Sequence, residues 1–453
     1  MPPIRHIFIA NRGEIAVRII RTARALGIET VLGVSRADRD SLGAKLATRA
    51  VCLGPGPSRD SYLKVDTVVQ AALGTGCDAL HPGYGFLSEN RDLAHACEKA
   101  GILFIGPTPA NLDAVGDKLT ARAHAIAAGV PLVPGGNAAT LQDAQNVAAE
   151  IGYPLLIKAV SGGGGKGMKR VNAPEDLAPQ LDLAMSEAAA AFGDDRVYLE
   201  RFVTTGRHVE VQILSDGVTV IHAGERDCSV QRRYQKVVEE APAPGLSPAL
   251  REGLLTAATA YARHIGYRSL GTVEFMVDVD RAAFYFLEMN ARIQVEHPVT
   301  EAITGLDLIA TQIAIAEGRP LGLTQSDITL TGHAIECRLN AEDIAHDFRP
   351  SPGRVTLAWF PSLPGLRVDT HMIPGAMIPP HYDSMVAKLI AHGPTREAAI
   401  ATMQKALAVM TLDGIATNAP LHRAIMADPE FAAGGVDTTY LAGLLPRLAG
   451  AFP

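Results

Sequence analysis

Apolar positions near the start of the chain come first as a block and then at helical spacing. Ile7-Phe8-Ile9-Ala10 form a continuous apolar run, polar Asn11-Arg12-Gly13-Glu14 interrupt it, and Ile15, Ile19, Ala23 and Leu26 then share one helical face. Gly27 stops that helix and Thr30-Val31-Leu32 resumes a strand. The same alternation returns around 66–72, 78–81, 89–100 and 102–105. Strands alternating with helices of this length predict a parallel sheet covered by helices, a doubly wound α/β domain over about residues 1–115. No G-x-G-x-x-G follows the first strand, so a dinucleotide-binding reading has no local support.

The texture changes between about 131 and 203, where the apolar strand Leu155-Leu156-Ile157-Lys158 leads into Ser161-Gly162-Gly163-Gly164-Gly165-Lys166-Gly167-Met168. This segment reads as a small independent lid. Beyond it the pattern turns antiparallel. Stretches 208–214 and 219–223 flank Asp216-Gly217 and predict a hairpin, and 272–277 with 284–289 predict another. The tail carries strands over 333–340 and 384–391 and a helix from about 396 to 410.

Length and composition narrow the class. A chain of 453 residues is long enough for about three domains at roughly 150 residues each. With 47% apolar and 20% charged residues it can bury several cores, which excludes a disordered protein. The formal net charge of −7 is not the basic footprint of a nucleic-acid binder, so an anionic ligand has to be held by local clusters of Lys and Arg. Five scattered cysteines argue against a disulfide framework and a structural zinc site. Without a run of about 18 apolar residues no membrane helix is expected. The first residues do not read as a signal peptide, and the expectation is a soluble cytoplasmic protein.

Four clusters carry candidate chemistry. Consecutive glycines, including Gly163, Gly164 and Gly165, let backbone amides converge on phosphate oxygens, and Lys158 and Lys166 add point charges. The loop is not a P-loop, because neither Ser nor Thr follows Lys166. Glu274 on one predicted strand and Glu288 and Asn290 on the next can meet at one end of a hairpin, an oxygen set suited to magnesium beside substrate phosphates. Arg292, Gln294 and Glu296 alternate, so an extended segment puts them on one face. There a guanidinium fork fits a small planar oxyanion and Glu296 can take its proton. The fourth cluster, residues 225–240, is dense in charge and amide and reads as too polar for core; its cations would suit anionic intermediates near an acidic metal site.

These clusters, in this order, resemble the biotin carboxylase family of ATP-grasp enzymes. The resemblance covers essentially the whole chain, through IANRGEIAVRIIR, HPGYGFLSEN, GDK, IKAVSGGGGKGM, ERDCSVQRRYQKVVEEAPAP, EMNARIQVEHPVTE, GHAIECRLNAED and YDSMVAKLI. It implies an ATP-grasp fold of α/β class: a Rossmann-like N-terminal domain over 1–115, an ATP-grasp region over 116–330 that includes the lid 131–203, and a mixed or antiparallel C-terminal domain over 331–453.

The resemblance also assigns residues. Lys118 and Lys158 match lysines on the ATP phosphates, Glu200 and Val203 lie where adenine binds, and His208, Gln231 and Lys236 match further ATP and bicarbonate contacts. Glu274, Glu288 and Asn290 match ligands of magnesium or manganese. Arg292, Gln294, Val295 and Glu296 match the bicarbonate pocket, with Glu296 as base; Arg338 matches the arginine that steadies the biotin enolate, and Tyr84 lies near the biotin ring. Tyr234 stands where the family usually carries His or Asn, and Arg201 where Lys is more usual. The implied reaction makes carboxyphosphate from ATP and bicarbonate and passes carbon dioxide to biotin. No Ala-Met-Lys-Met attachment sequence is present, so the biotin is expected on a separate biotin carboxyl carrier protein, with a carboxyltransferase downstream. A homodimer is a family expectation. A rival reading, an ATP-grasp ligase joining a carboxylate to an amine through an acyl phosphate, would use the glycine loop and metal carboxylates but would not require RIQVE or Arg338.

Overall fold

The computed structural model describes residues 3–161 and 168–448. Its N-terminal sheet is parallel throughout, in the spatial order Arg49–Gly54, Glu29–Ser35, His6–Ile9, Ala79–His81, Leu103–Phe104. Apolar strands of this kind need cover on both faces, and Gly13–Ala25, Val65–Gly74 and Arg91–Lys99 are among the helices that supply it. Strand order reverses between His6–Ile9 and Ala79–His81, which opens a crevice at their carboxyl ends. Asn11 closes the base of that crevice: its Nδ2 donates to Pro82 O and Tyr84 O, both at 2.7 Å.

The segment expected to form a lid is a four-stranded antiparallel sheet in the order Gly135–Ala138, Val197–Arg201, Leu155–Ala159, Lys169–Val171. Helices Leu141–Ile151 and Leu177–Phe192 pack on it around a separate small core that includes Leu155, Ile157, Val171, Leu181 and Leu199. Gly163, Gly164, Gly165 and Lys166, the phosphate loop expected from the sequence, lie outside the described residues.

An eight-stranded antiparallel sheet dominates the rest. Its order is Ala283–Asn290, Arg268–Asp278, Gly206–Asp216, Val220–Arg232, Gln235–Ala241, His333–Asn340, Met385–Gly393, Leu366–Thr370. Both expected hairpins are present, the first turning at Asp216-Gly217, where the Asp216 carboxylate accepts from Val218 N and Thr219 N.

One reading is overturned. The charged stretch 225–240 is not excluded from the interior; it forms most of two strands at the centre of this sheet. Glu225, Arg226, Asp227, Ser229, Glu239 and Glu240 are all buried. The physical reason is pairing. Arg226, with no solvent exposure, donates to Glu210 Oε1 (2.6 Å), Gln212 Oε1 (2.8 Å), Thr300 Oγ1 (2.9 Å) and Thr272 Oγ1 (3.1 Å). Asp227 takes Arg207, and Glu240 takes Arg396 and His333. Buried charges persist when each meets an opposite charge and full hydrogen bonding. The tip between the two strands is Arg233-Tyr234, both left-handed at φ 49° and 65°, which matches the twist a two-residue hairpin demands.

Candidate active site

Three carboxylates lie in one row across the large sheet, because Glu274 is directly opposite both Glu288 and Glu210 in the backbone register. Side chains so placed are about 5 Å apart at Cβ, and like charges there repel. Lys236 answers that repulsion. Its Nζ donates to Glu210 Oε2 (2.5 Å), Glu274 Oε1 (2.8 Å) and Glu296 Oε1 (2.7 Å). Burial opposes the charge on Lys236, but these three carboxylates outweigh it and hold the ammonium well above its ordinary range. His208 Nε2 is 3.0 Å from Glu274 Oε2, and its Nδ1 faces Gln231 Nε2 at 2.8 Å. Burial would raise Glu274, yet Lys236 and His208 prevail and keep it ionised.

The oxygen set expected for a divalent cation is assembled. Burial first, and then Glu274, push Glu288 above the usual carboxylate value, with Lys118 partly offsetting them. A cation between Glu274 and Glu288 would remove that repulsion, and hard oxygen donors suit magnesium. Asn290 donates its Nδ2 to Glu274 Oε1 (2.9 Å) and turns its Oδ1 to Arg292 Nη2 (2.9 Å), so it joins such a site by exchanging the arginine bond. The residues fit the metal.

The oxyanion cluster departs from the sequence reading in one respect. Residues 291–296 are not an extended strand with one shared face; the chain turns there into helix His297–Thr304, with Glu296 at the N-cap and Pro298 in the first turn. The side chains converge all the same. Gln294 Nε2 reaches Glu274 Oε1 at 3.2 Å. Arg292 Nε donates to Glu89 Oε2 (2.9 Å), and Ala291 N donates to Glu89 Oε1 (3.1 Å). Glu296 is fully buried between Lys236 and Arg338, whose Nη2 lies 3.1 Å from Glu296 Oε2. Burial alone would raise Glu296; Lys236, Arg338 and Arg226 overcome it and hold the carboxylate well below its ordinary value. The Val295 carbonyl accepts from Lys388 Nζ at 2.6 Å.

Arg338 also reaches Glu239 Oε1 at 2.5 Å, while its backbone carbonyl is held by Asn418 Nδ2 (3.0 Å) and a His422 ring nitrogen (2.7 Å). Tyr84 joins the network more remotely: its hydroxyl donates to Glu14, which pairs with Lys388 at 3.2 Å. On the lid side, Glu200 is buried and clamped by Lys158 Nζ and Arg122 Nη1, each at 2.5 Å. Lys118 opens helix Lys118–Ala127 behind the Asp117 cap, where burial lowers its charge affinity and Glu288 restores part of it. Val203 is buried just past the lid strand Val197–Arg201, and Tyr234 stands exposed at the hairpin tip.

Sequence reasoning gave no role to Glu89, Glu210, Glu239 or Glu336. Glu210 had a signal, since it follows His208 by two positions on one strand face. Glu89 had only its place in HPGYGFLSEN, because its partner Arg292 is 203 positions away.

Three family descriptions cover the chain in turn: "Biotin carboxylase, N-terminal domain" over residues 3–112, "Carbamoyl-phosphate synthase L chain, ATP binding domain" over 117–324, and "Biotin carboxylase C-terminal domain" over 336–443. Among relatives, the chain is 51% identical over 439 residues to a chloroplastic biotin carboxylase of Populus trichocarpa, covering 96% of this chain and 83% of that one. It is 50% identical over 446 residues to the biotin carboxylase of Allochromatium vinosum, covering 98% and 99%. Among solved structures, the biotin carboxylase domain dimer of the 2-oxoglutarate carboxylase of Hydrogenobacter thermophilus, crystallised with MgADP, ADP and bicarbonate, superposes with a TM-score of 0.94 at 43% identity, over 98% of each chain.

Proposed function

The chain belongs to the biotin carboxylase family, and from that premise we infer that the cluster around Lys236 runs its reaction. The enzyme uses ATP and bicarbonate, with magnesium, to carboxylate biotin.

The observation that carries the residue assignment is the sharing of Glu296 between Lys236 and Arg338. It puts a buried carboxylate between the groups expected at the phosphate end and those expected at the biotin end. Glu296 is held ionised at every working pH, which keeps it ready as an acceptor but makes it a weak base. Bicarbonate entering beside Arg292 and Gln294 competes for Lys236, and each cation it draws off raises the proton affinity of Glu296. Glu296 then takes the bicarbonate proton and the freed oxygen attacks the γ-phosphorus, giving carboxyphosphate and ADP. Glu274, Glu288 and Asn290 would hold the magnesium, which supplies charge neutralisation at the phosphates when bound. Lys118, Lys158 and Lys236 add positive charge on the same side.

Carboxyphosphate splits into carbon dioxide and phosphate. The phosphate removes the proton from the biotin ureido nitrogen, Arg338 stabilises the oxyanion, and the nitrogen captures carbon dioxide. A closed lid over residues 131–203 would keep water from the labile intermediate. The lid belongs to a middle domain over 116–330, between domains over 1–115 and 331–453.

Biotin would arrive on a carrier protein and leave for a carboxyltransferase, and the enzyme would work as a homodimer in the cytoplasm. No single helix among the described residues is long and apolar enough to cross a membrane.

The test is Glu296→Ala. Bicarbonate-dependent ATP cleavage is expected to be abolished while ATP binding, read by equilibrium titration, persists. Retained turnover would remove Glu296 from the role of base.

A further inference from the structure

Glu239 and Glu336 face one another directly across strands Gln235–Ala241 and His333–Asn340. Both are wholly buried, and neither oxygen of Glu336 nor Glu239 Oε2 has a hydrogen-bond partner among the described residues. Arg338 stands two residues beyond Glu336, with Nη2 2.5 Å from Glu239 Oε1 and 3.1 Å from Glu296 Oε2. Its Nε is buried without a partner. Two carboxylates thus pin one corner of the guanidinium and leave another donor uncommitted.

Two opposed carboxyls out of water cannot both ionise cheaply. We propose that Glu239 and Glu336 hold one proton between them, and that ionised Glu239 is a positioning residue that keeps Arg338 set for the biotin anion. The inference rests on the assignment of Arg338 to that anion. A neutral pair would release the guanidinium from one of its two anchors; a doubly ionised pair would neutralise it too far to serve an oxyanion. A single shared proton leaves Arg338 anchored with donor capacity to spare.

The groups facing the pair agree with one proton. They are Lys236 on the strand of Glu239, Cys228 on the neighbouring strand, Arg338 and Cys337 on the strand of Glu336, Lys388 opposite Arg338, and Glu296 at its helix start. Burial pushes Glu239 up to about 7, with Arg338 resisting and Glu296 assisting. Burial lifts Glu336 well above the usual value against the pull of Lys388. The proton therefore resides on Glu336, and Glu239 ionises near neutrality.

The experiment measures two rates across pH 5.5–9 for the full chain: bicarbonate-dependent ATP cleavage without biotin, and carboxylation of free biotin. Glu239→Gln is expected to lower kcat/KM for biotin about tenfold more than it lowers ATP cleavage, and to flatten the acidic limb of the biotin profile. Glu336→Gln keeps a neutral side chain opposite Glu239, so the acidic limb is expected to stay where it is while the neutral rate survives. A limb that flattens in Glu239→Gln and stays in place in Glu336→Gln is something a merely structural role would not give. Equal losses in both rates for Glu239→Gln, or an acidic limb that moves to lower pH in Glu336→Gln, would overturn the proposal. Should Glu239→Gln fail to fold, Glu239→Asp and the Glu336→Gln profile decide the matter. Arg338→Gln is the control for the underlying reading: if it leaves biotin kinetics intact, the assignment of Arg338 fails first, and that outcome is distinct from a failure of the carboxyl pair.

Discussion

Glu336 has an effect on stability that can be separated from any effect on rate. In the folded chain it keeps its proton far above the usual value of 4.5, whereas in the unfolded chain it ionises near that value. Its contribution is therefore complete below about pH 4.5 and is lost as pH rises toward its folded value. Glu336→Gln keeps the shape and abolishes the titration. The variant is expected to melt at a higher temperature than the parent at pH 8, with the gap closing toward pH 5, as read by calorimetry at fixed ionic strength. A gap that widened toward acid would mean that Glu336 is ionised and paired with Lys388. Glu296 behaves oppositely: depressed in the folded chain, its contribution is present above the ordinary carboxylate range and is lost only in acid.

Among the elements, strand Val220–Arg232 departs most from sequence expectation. Arg226→Met removes the cation that satisfies Glu210, Gln212, Thr272 and Thr300, and should cost about 3–5 kcal/mol in urea unfolding. Adding Glu210→Gln is expected to return part of that loss, a non-additivity that a double-mutant cycle measures. The same strand explains what could be read from the sequence. The Asp216-Gly217 turn, the alternation around it and the apolar N-terminal strands all signal through near neighbours, so the two hairpins and the parallel domain were legible. So were Glu274, Glu288 and Asn290, which one hairpin brings into register. Arg226 was not, because its partners lie 14, 16, 46 and 74 positions away and a charge run by itself reads as solvated. The convergence of 291–296 was misread for a similar cause: alternation implies one face only if the chain stays extended, and Pro298 opens a helix instead.

Across the whole molecule, the lid meets the body through Glu200, whose partners Lys158 and Arg122 sit on a lid strand and on helix Lys118–Ala127. Glu200→Gln gives up charge-assisted bonds and is expected to raise KM for ATP about tenfold, with a smaller effect on KM for biotin. Steady-state kinetics with each substrate varied in turn would check it. The large sheet has the opposite character. Between the strands of Glu274 and Arg338 lie Gly206–Asp216, Val220–Arg232 and Gln235–Ala241, each joined to the next by backbone hydrogen bonds. At about 4.8 Å per strand the two axes are roughly 19 Å apart. A backbone ladder does not stretch, so in the assignment proposed above the strands that carry the two steps keep a fixed spacing throughout turnover. The cargo travels along a track that stays still, and a change in the rate of handover has to come from what enters or leaves the ends.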